Sequence, residues 1–190
     1  MIDYHRYRWF YTSQGTLVVG GKSAEQNDEL VQKFVASGED YYVMHTRAPG
    51  SPFAIMLKDV KEVGEKELDE CAVFTGCFSR AWRERKKKID VDVFTIKQLS
   101  KEKSMKKGMW RVAGAVRKRR VELKLALTRQ KGVIRAVPLS SINSKEAMMI
   151  ICPGKNAKER MAPVFEIDLG NVKYDELMAA LPAGGVRKCT

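Results

Sequence analysis

No apolar run in this chain approaches the ~20 residues that a membrane-crossing helix needs. The first residues, Met1-Ile2-Asp3-Tyr4-His5-Arg6, are not followed by the apolar stretch of a secretory signal. Cysteine is scarce: Cys71, Cys77, Cys152 and Cys189 are the four present, and no two form a CxxC pair. The two histidines, His5 and His45, have no cysteine or histidine at metal-ligand spacing. A structural zinc site needs about four such ligands in a tetrahedron, so neither a metal nor any other cofactor is expected. The cysteines read as reduced, mostly buried thiols of a cytoplasmic protein. A phosphate-binding GxxxxGK[ST] loop is missing, as are internal repeats and low-complexity tracts. No carboxylate pair and no nucleophile–base spacing is evident, so the chain is expected not to be an enzyme.

Acidic residues are rare in one region only. From Arg80 to Lys131 there are 19 Lys and Arg against 5 Asp and Glu, a local charge of +14 within a chain whose net charge is +12. The remainder is close to neutral. A basic band on a neutral body suggests a surface for a polyanion. Lys86, Lys87 and Lys88, with Arg80, Arg83 and Arg85, crowd the end of a predicted helix, where cations also complement the helix dipole. Lys101, Lys103, Lys106, Lys107, Arg117, Lys118, Arg119 and Arg120 are expected in loops and turns, where that explanation does not apply. A DNA partner, an acidic protein or an anionic membrane would also meet such a band. No basic amphipathic helix with exposed aromatics supports the membrane version, so no membrane partner is expected.

Hydrophobic residues make up 44% of the 190, enough for a packed core. Arg8 to Thr12 and Thr16 to Gly21 read as a hairpin around Ser13-Gln14-Gly15. Ser23 and Gln26 form a capping-box pattern before the stripe Leu30, Val31, Phe34 and Val35, which Gly38 ends. Tyr41 to Thr46 and Phe53 to Leu57 read as strands flanking the loop Ala48-Pro49-Gly50-Ser51-Pro52. Glu67 to Arg85 reads as one long helix. Val91 to Ile96, Met109 to Val112 and Arg120 to Leu125 alternate as half-buried strands. After Gly132 come the apolar runs Val133 to Val137 and Met148 to Ile151, then helix candidates over 155–164 and 174–181. The expected fold is α+β: a largely antiparallel sheet covered by one long helix over residues 1–131, with residues 132–190 a small α/β appendage packed on it.

Several of these blocks, in order, resemble the NFACT-R family, a domain of ribosome-quality-control factors and of bacterial fibronectin-binding-like proteins. They are Arg8-Trp9-Phe10; Gly20-Gly21-Lys22-Ser23-Ala24-Glu25-Gln26-Asn27-Asp28; Asp40-Tyr41-Tyr42-Val43-Met44-His45; Pro49-Gly50-Ser51-Pro52; Ala72 to Trp82; and Met105-Lys106-Lys107-Gly108-Met109 to Gly114. The resemblance covers roughly residues 6 to 127, and in length the chain is similar to standalone archaeal members. Lys22 and Ser23 replace the family's usual Arg and Asp, and His45-Thr46-Arg47 stands where the family has His-Ala-Asp. The resemblance implies binding of tRNA or ribosomal RNA in translation or ribosome quality control. It also implies the ribosome or RNA-modifying enzymes as partners.

The residues suggest how. Gly20-Gly21-Lys22-Ser23 leads a strand into a helix N-terminus, where free amides, the dipole and a lysine suit one phosphate. Asn27, a turn further on, either bonds nearby backbone or faces a base. His45 ends a strand beside the Ala48–Pro52 loop, where a neutral imidazole can stack on a base or bond a phosphate. With Asp40 to orient it, the same histidine would serve an enzyme or enzyme subunit in RNA modification, the alternative reading. Trp110 is a candidate stacking platform. The expected RNA-binding set is thus Gly20, Gly21, Lys22, Asn27, His45, Arg47, Trp110 and the basic residues at 86–88, 106–107 and 117–120.

Overall fold

The computed structural model describes residues 2–189. Its first element is the expected hairpin: β1 (Arg8–Tyr11) pairs antiparallel with β2 (Leu17–Gly20). Helix α1 (Ala24–Ser37) begins at Ser23, whose side chain accepts from the Gln26 amide. It ends at Gly38, which takes the left-handed conformation that a Cβ would disfavour. Then follow β3 (Tyr41–Thr46), β4 (Ala54–Asp59), helix α2 (Glu65–Cys77), the short helix α3 (Arg80–Arg83) and β5 (Lys88–Thr95).

The long helix expected over 67–85 is therefore two. The chain leaves α2 at Phe78, and Ser79 caps α3 by accepting from the Ala81 amide. The Ser79 hydroxyl also donates to the Gly76 carbonyl at 2.7 Å, so one serine closes the first helix and opens the second.

Two minimal strands, β6 (Leu99–Ser100) and β7 (Arg111–Val112), pair with each other. Trp110 thus lies just outside a strand. β8 (Arg117–Glu122) places Arg117 to Arg120 on a strand rather than in the loops expected for them, and β9 (Leu125–Gln130) follows a break at Leu123-Lys124. Six strands form one sheet in the order β1-β2-β4-β3-β5-β8, antiparallel at every pairing. Strand alternation sends Phe10, Met44 and Val93 to the face beneath α2, and Trp9, Val43 and Phe94 to the face beneath α1. One helix therefore covers each face of the sheet.

The C-terminal part adds β10 (Val133–Val137), β11 (Met149–Ala157), α4 (Lys158–Leu169), α5 (Tyr174–Ala180) and β12 (Gly185–Lys188). The helix expected over 155–164 starts later, because residues 155–157 belong to β11. A second antiparallel sheet runs β10-β9-β11-β12. β9 precedes the compositional change at Gly132, so that change falls in the β9–β10 turn, inside the sheet. The core beneath α2 continues through Leu125, Leu127 and Ile134 to Phe165 and Leu177. Cys152 and Cys189 are joined in a disulfide, contrary to the reduced state expected from their spacing. Adjacent strands β11 and β12 bring their Cα atoms to 5.5 Å although 37 residues separate them. Cys71 and Cys77 are free and buried. Among the described residues, no helix is long and apolar enough to cross a membrane.

Candidate functional site

A cleft of about 790 Å³ opens where the end of β2, the end of β3 and the loop into β4 meet the start of α1. That volume lies in the range of small-molecule and nucleotide pockets, roughly 300–1,000 Å³. Its walls bring together Gly21, Lys22, His45, Arg47, Lys107 and Trp110 from three separate stretches of sequence. Among the described residues, five cations (Arg8, Lys22, Arg47, Arg83 and Lys107) line it against one carboxylate, Asp92.

The glycine turn is shaped by packing. A Cβ on Gly20 would lie 2.9 Å from the Pro52 Cβ, and one on Gly21 would lie 2.7 Å from the Asn27 backbone nitrogen and closer still to its side-chain oxygen. Asn27 is buried. Its amide donates to the Ser51 carbonyl at 3.4 Å, and its Oδ1 accepts from the Phe53 amide at 3.1 Å. Asn27 thus fastens α1 to the Ala48–Pro52 loop, and its polar atoms are used within the fold. Of the amides at the turn, that of Lys22 donates to Gln26 Oε1 at 3.0 Å.

His45 stacks on Phe53, with ring centroids 4.5 Å apart and an interplanar angle of 30°. Burial pulls the imidazole pKa below its ordinary value, only partly opposed by the Thr46 backbone and by Asp92. A neutral ring at physiological pH is the consequence. The expected orienting residue, Asp40, lies elsewhere, accepting from the Lys97 amide at 3.3 Å. The carboxylate beside His45 is Asp92, its cross-strand partner, and Lys118 stands across from Asp92 in turn. Directly paired residues share a sheet face, so the three form a row. Asp92 Oδ1 is buried with no hydrogen-bond partner. An unmet buried acceptor at the wall of a cleft is ready for a donor from a ligand.

Trp110, half-buried, also lines the cleft. Its Nε1 donates to Asp28 Oδ1 at 2.8 Å, and Lys101 Nζ reaches Asp28 Oδ2 at 2.6 Å while lying 5.3 Å from the ring centroid. Beside it Met109 is 55% exposed, a large apolar side chain at the mouth of a cationic cleft.

The rest of the basic band is divided. Arg119 ion-pairs with Glu65 and Asp69, Arg117 with Glu65 at 3.4 Å, and Arg120 with Asp90 at 3.1 Å. Lys86 pairs with Glu84 at 3.0 Å. Lys87, Lys88, Lys106 and Lys118 are exposed. Of residues 86–88, 106–107 and 117–120, only Lys107 lines the cleft. Arg8, Phe53, Asp92 and Met109 line it although none was in the expected binding set, and so does Arg83, which was read only as part of the helix-end cluster. Nothing local marks the five as a set, because tertiary packing of strands, α3 and loops brings them together.

The sequence model of a family described as "NFACT protein RNA binding domain" matches residues 6–114. Among curated proteins, the archaeal Rqc2 homolog aRqcH of Methanocaldococcus jannaschii is 28% identical over 197 residues, covering 96% of this chain and 28% of that protein. The ribosome quality control complex subunit NEMF of Homo sapiens is 25% identical over 83 residues, covering 43% of this chain and 8% of that protein. The chain therefore spans just over a quarter of the archaeal relative and less than a tenth of NEMF. Among solved structures, the C-terminal part of the fibronectin/fibrinogen-binding protein from Streptococcus suis superposes with a TM-score of 0.54 at 24% identity. The overlap covers 62% of this chain and 45% of that one, and the likeness is one of fold.

Proposed function

From the premise that this chain belongs to the NFACT RNA-binding domain family, we propose that it is a non-catalytic module holding structured RNA, tRNA or ribosomal RNA, in the cytoplasm. Its place is ribosome quality control, as the names of its relatives suggest. The observation that carries this reading is the cleft. Five cations surround a hollow floored by the His45–Phe53 stack and walled by Trp110, with one unmet acceptor on Asp92. Unpaired nucleotides are held in this manner, with bases on aromatic rings, base edges on polar groups and phosphates on Lys and Arg. An unpaired base presenting an amino group suits Asp92.

The test compares bulk tRNA, a ribosomal RNA fragment and duplex DNA across a salt series. One variant changes Arg47 and Lys107 to Glu at the cleft, and another changes Lys87, Lys88 and Lys118 to Glu on the band. The reading expects RNA bound more tightly than DNA, with a steep salt dependence. The cleft variant should lose at least about tenfold in affinity, or ~1.4 kcal/mol. Loss confined to the band variant would move the interface to the β5–β8 edge. Equally weak binding of every nucleic acid by all three proteins would end the reading.

A further inference from the structure

Beside the cleft lies a much smaller recess, with room for about one water-sized sphere (10 Å³). It shares Arg8, Lys22 and Phe78 with the cleft and adds Trp9 and Arg135. Three cations from three places meet here: Arg8 on β1, Lys22 in the glycine turn, and Arg135 on β10 of the second sheet. The guanidinium of Arg8 lies over Phe78 and that of Arg135 over Trp9, each 4.7 Å from the ring centroid. Arg135 Nε donates to the Ile134 carbonyl at 2.8 Å.

Like charges gathered in a partly dry place cost free energy unless something answers them. Aromatic faces offset part of that cost. No carboxylate among the described residues offsets the rest. Burial and then the charge of Arg135 pull the Arg8 pKa down to about 10, and burial lowers those of Lys22 and Arg135 as well. Lys158, the next cation, is spent on the Met178 carbonyl at 2.9 Å.

We infer that Arg8, Lys22 and Arg135 form a seat for one phosphate group, a phosphoryl oxygen entering the recess and the other oxygens facing the cleft. The two guanidinium groups, each placed over an aromatic face, carry donor forks of the kind that match phosphate, the Nη atoms of Arg135 remaining available beside its bonded Nε. The occupant is a phosphodiester of the RNA backbone or a terminal 5′-phosphate, so the inference takes its ligand from the RNA-binding reading. It adds that the second sheet completes the site, since Arg135 lies beyond the residues 6–114 that the family model matches.

The test uses the full chain and short single-stranded RNAs carrying either a 5′-hydroxyl or a 5′-monophosphate, with inorganic phosphate alone as a separate probe. Lys22→Gln and Arg135→Gln are made singly and together, and thermal melting verifies that each folds. Arg135→Lys, which keeps the charge but not the fork, replaces the glutamine variant should that fail to fold. Each single change is expected to weaken RNA binding about tenfold, ~1.4 kcal/mol. The pair should fall short of the product of the two losses, because both residues hold one group. The Nε–H signals of Arg8 and Arg135 should shift when inorganic phosphate is added. Equal losses for both RNAs put a backbone diester in the seat, and losses confined to the 5′-monophosphate RNA put a terminal phosphate there. Either outcome supports the inference. Folded Arg135 variants that bind RNA like the wild type, together with unmoved arginine signals, overturn it. If the wild type binds no RNA while phosphate still shifts both arginines, the seat stands and the RNA reading is what fails.

Discussion

Gln130 treats Tyr11 as a neighbouring strand would. Its Nε2 donates to the Tyr11 carbonyl at 2.9 Å and its Oε1 accepts from the Tyr11 amide at 2.8 Å, across 119 residues of sequence. Tyr11 ends β1, the edge of the six-stranded sheet, whose outward backbone groups would otherwise be unpaired. Gln130 ends β9, so this one side chain ties the edge of the first sheet to the second. Gln130→Ala should destabilise the protein by about 1–2 kcal/mol in urea unfolding. The Tyr11 amide should then exchange faster than its neighbours in β1. Unchanged protection at Tyr11 would show that the contact holds nothing.

Two carboxylates one turn apart on α2 should behave oppositely. Both are buried under the β1–β2 turn. Burial alone would raise the Glu67 pKa, but hydroxyl donors from Thr16 and Thr12, the Gly64 amide and Lys58 together bring it below the ordinary value. For Glu70 burial wins and the pKa is raised: Ser13 donates to Oε2, while Oε1 has no hydrogen-bond partner and the exposed Lys66 ammonium stands 4.0 Å from it, so these groups offset only part of the burial. The stability that ionised Glu67 contributes is present above the unfolded carboxyl pKa, about 4.3, and disappears as pH falls through its lower folded value. Ionised Glu70 is unfavourable above its raised folded pKa, and that penalty is relieved on acidification. At pH 7, Glu67→Gln should cost about 1.5–3 kcal/mol. Glu70→Gln should be neutral or stabilise by up to about 1 kcal/mol, an advantage that closes as the pH approaches 4. Equal destabilisation by both changes would refute this account.

Gly21→Ala should disturb the cleft through Asn27. The new methyl group would collide with the Asn27 backbone and side-chain oxygen, and so with the residue that holds the Ser51 carbonyl and the Phe53 amide. Overpacking of this kind costs about 1–3 kcal/mol. In a chain of this size each kcal/mol lowers Tm by about 2–4 °C. RNA affinity should fall with it, whereas Gly132→Ala, in an open turn on the second sheet, should leave affinity alone. A Gly21→Ala protein with wild-type melting and binding would mean that the turn tolerates the shift.

How much was legible in advance follows from the range of the forces involved. Ser23, Gln26 and Gly38 delimited α1 because caps act within a few residues. Tyr41–Thr46 and most of β5 were legible as strands because the side-chain pattern of a strand is local. The ordered blocks from Arg8 to Gly114 carried the family. The basic band was legible as charge, but which of its members are answered by acids was not. Glu65 and Asp69 are about 50 residues from Arg119 and meet it only because α2 packs beside β8.

The sequence by itself determined most of the secondary elements, the concentration of positive charge and the family, since these depend on spacing and composition. The tertiary structure decided which side chains meet. The order β1-β2-β4-β3-β5-β8 put Asp92 beside His45, and closure of β9 and β10 against the first sheet carried Arg135 to Arg8 and Lys22. Antiparallel β11 and β12 joined Cys152 to Cys189. Such contacts are fixed by burial of a core shared across the whole chain, and no local pattern encodes them.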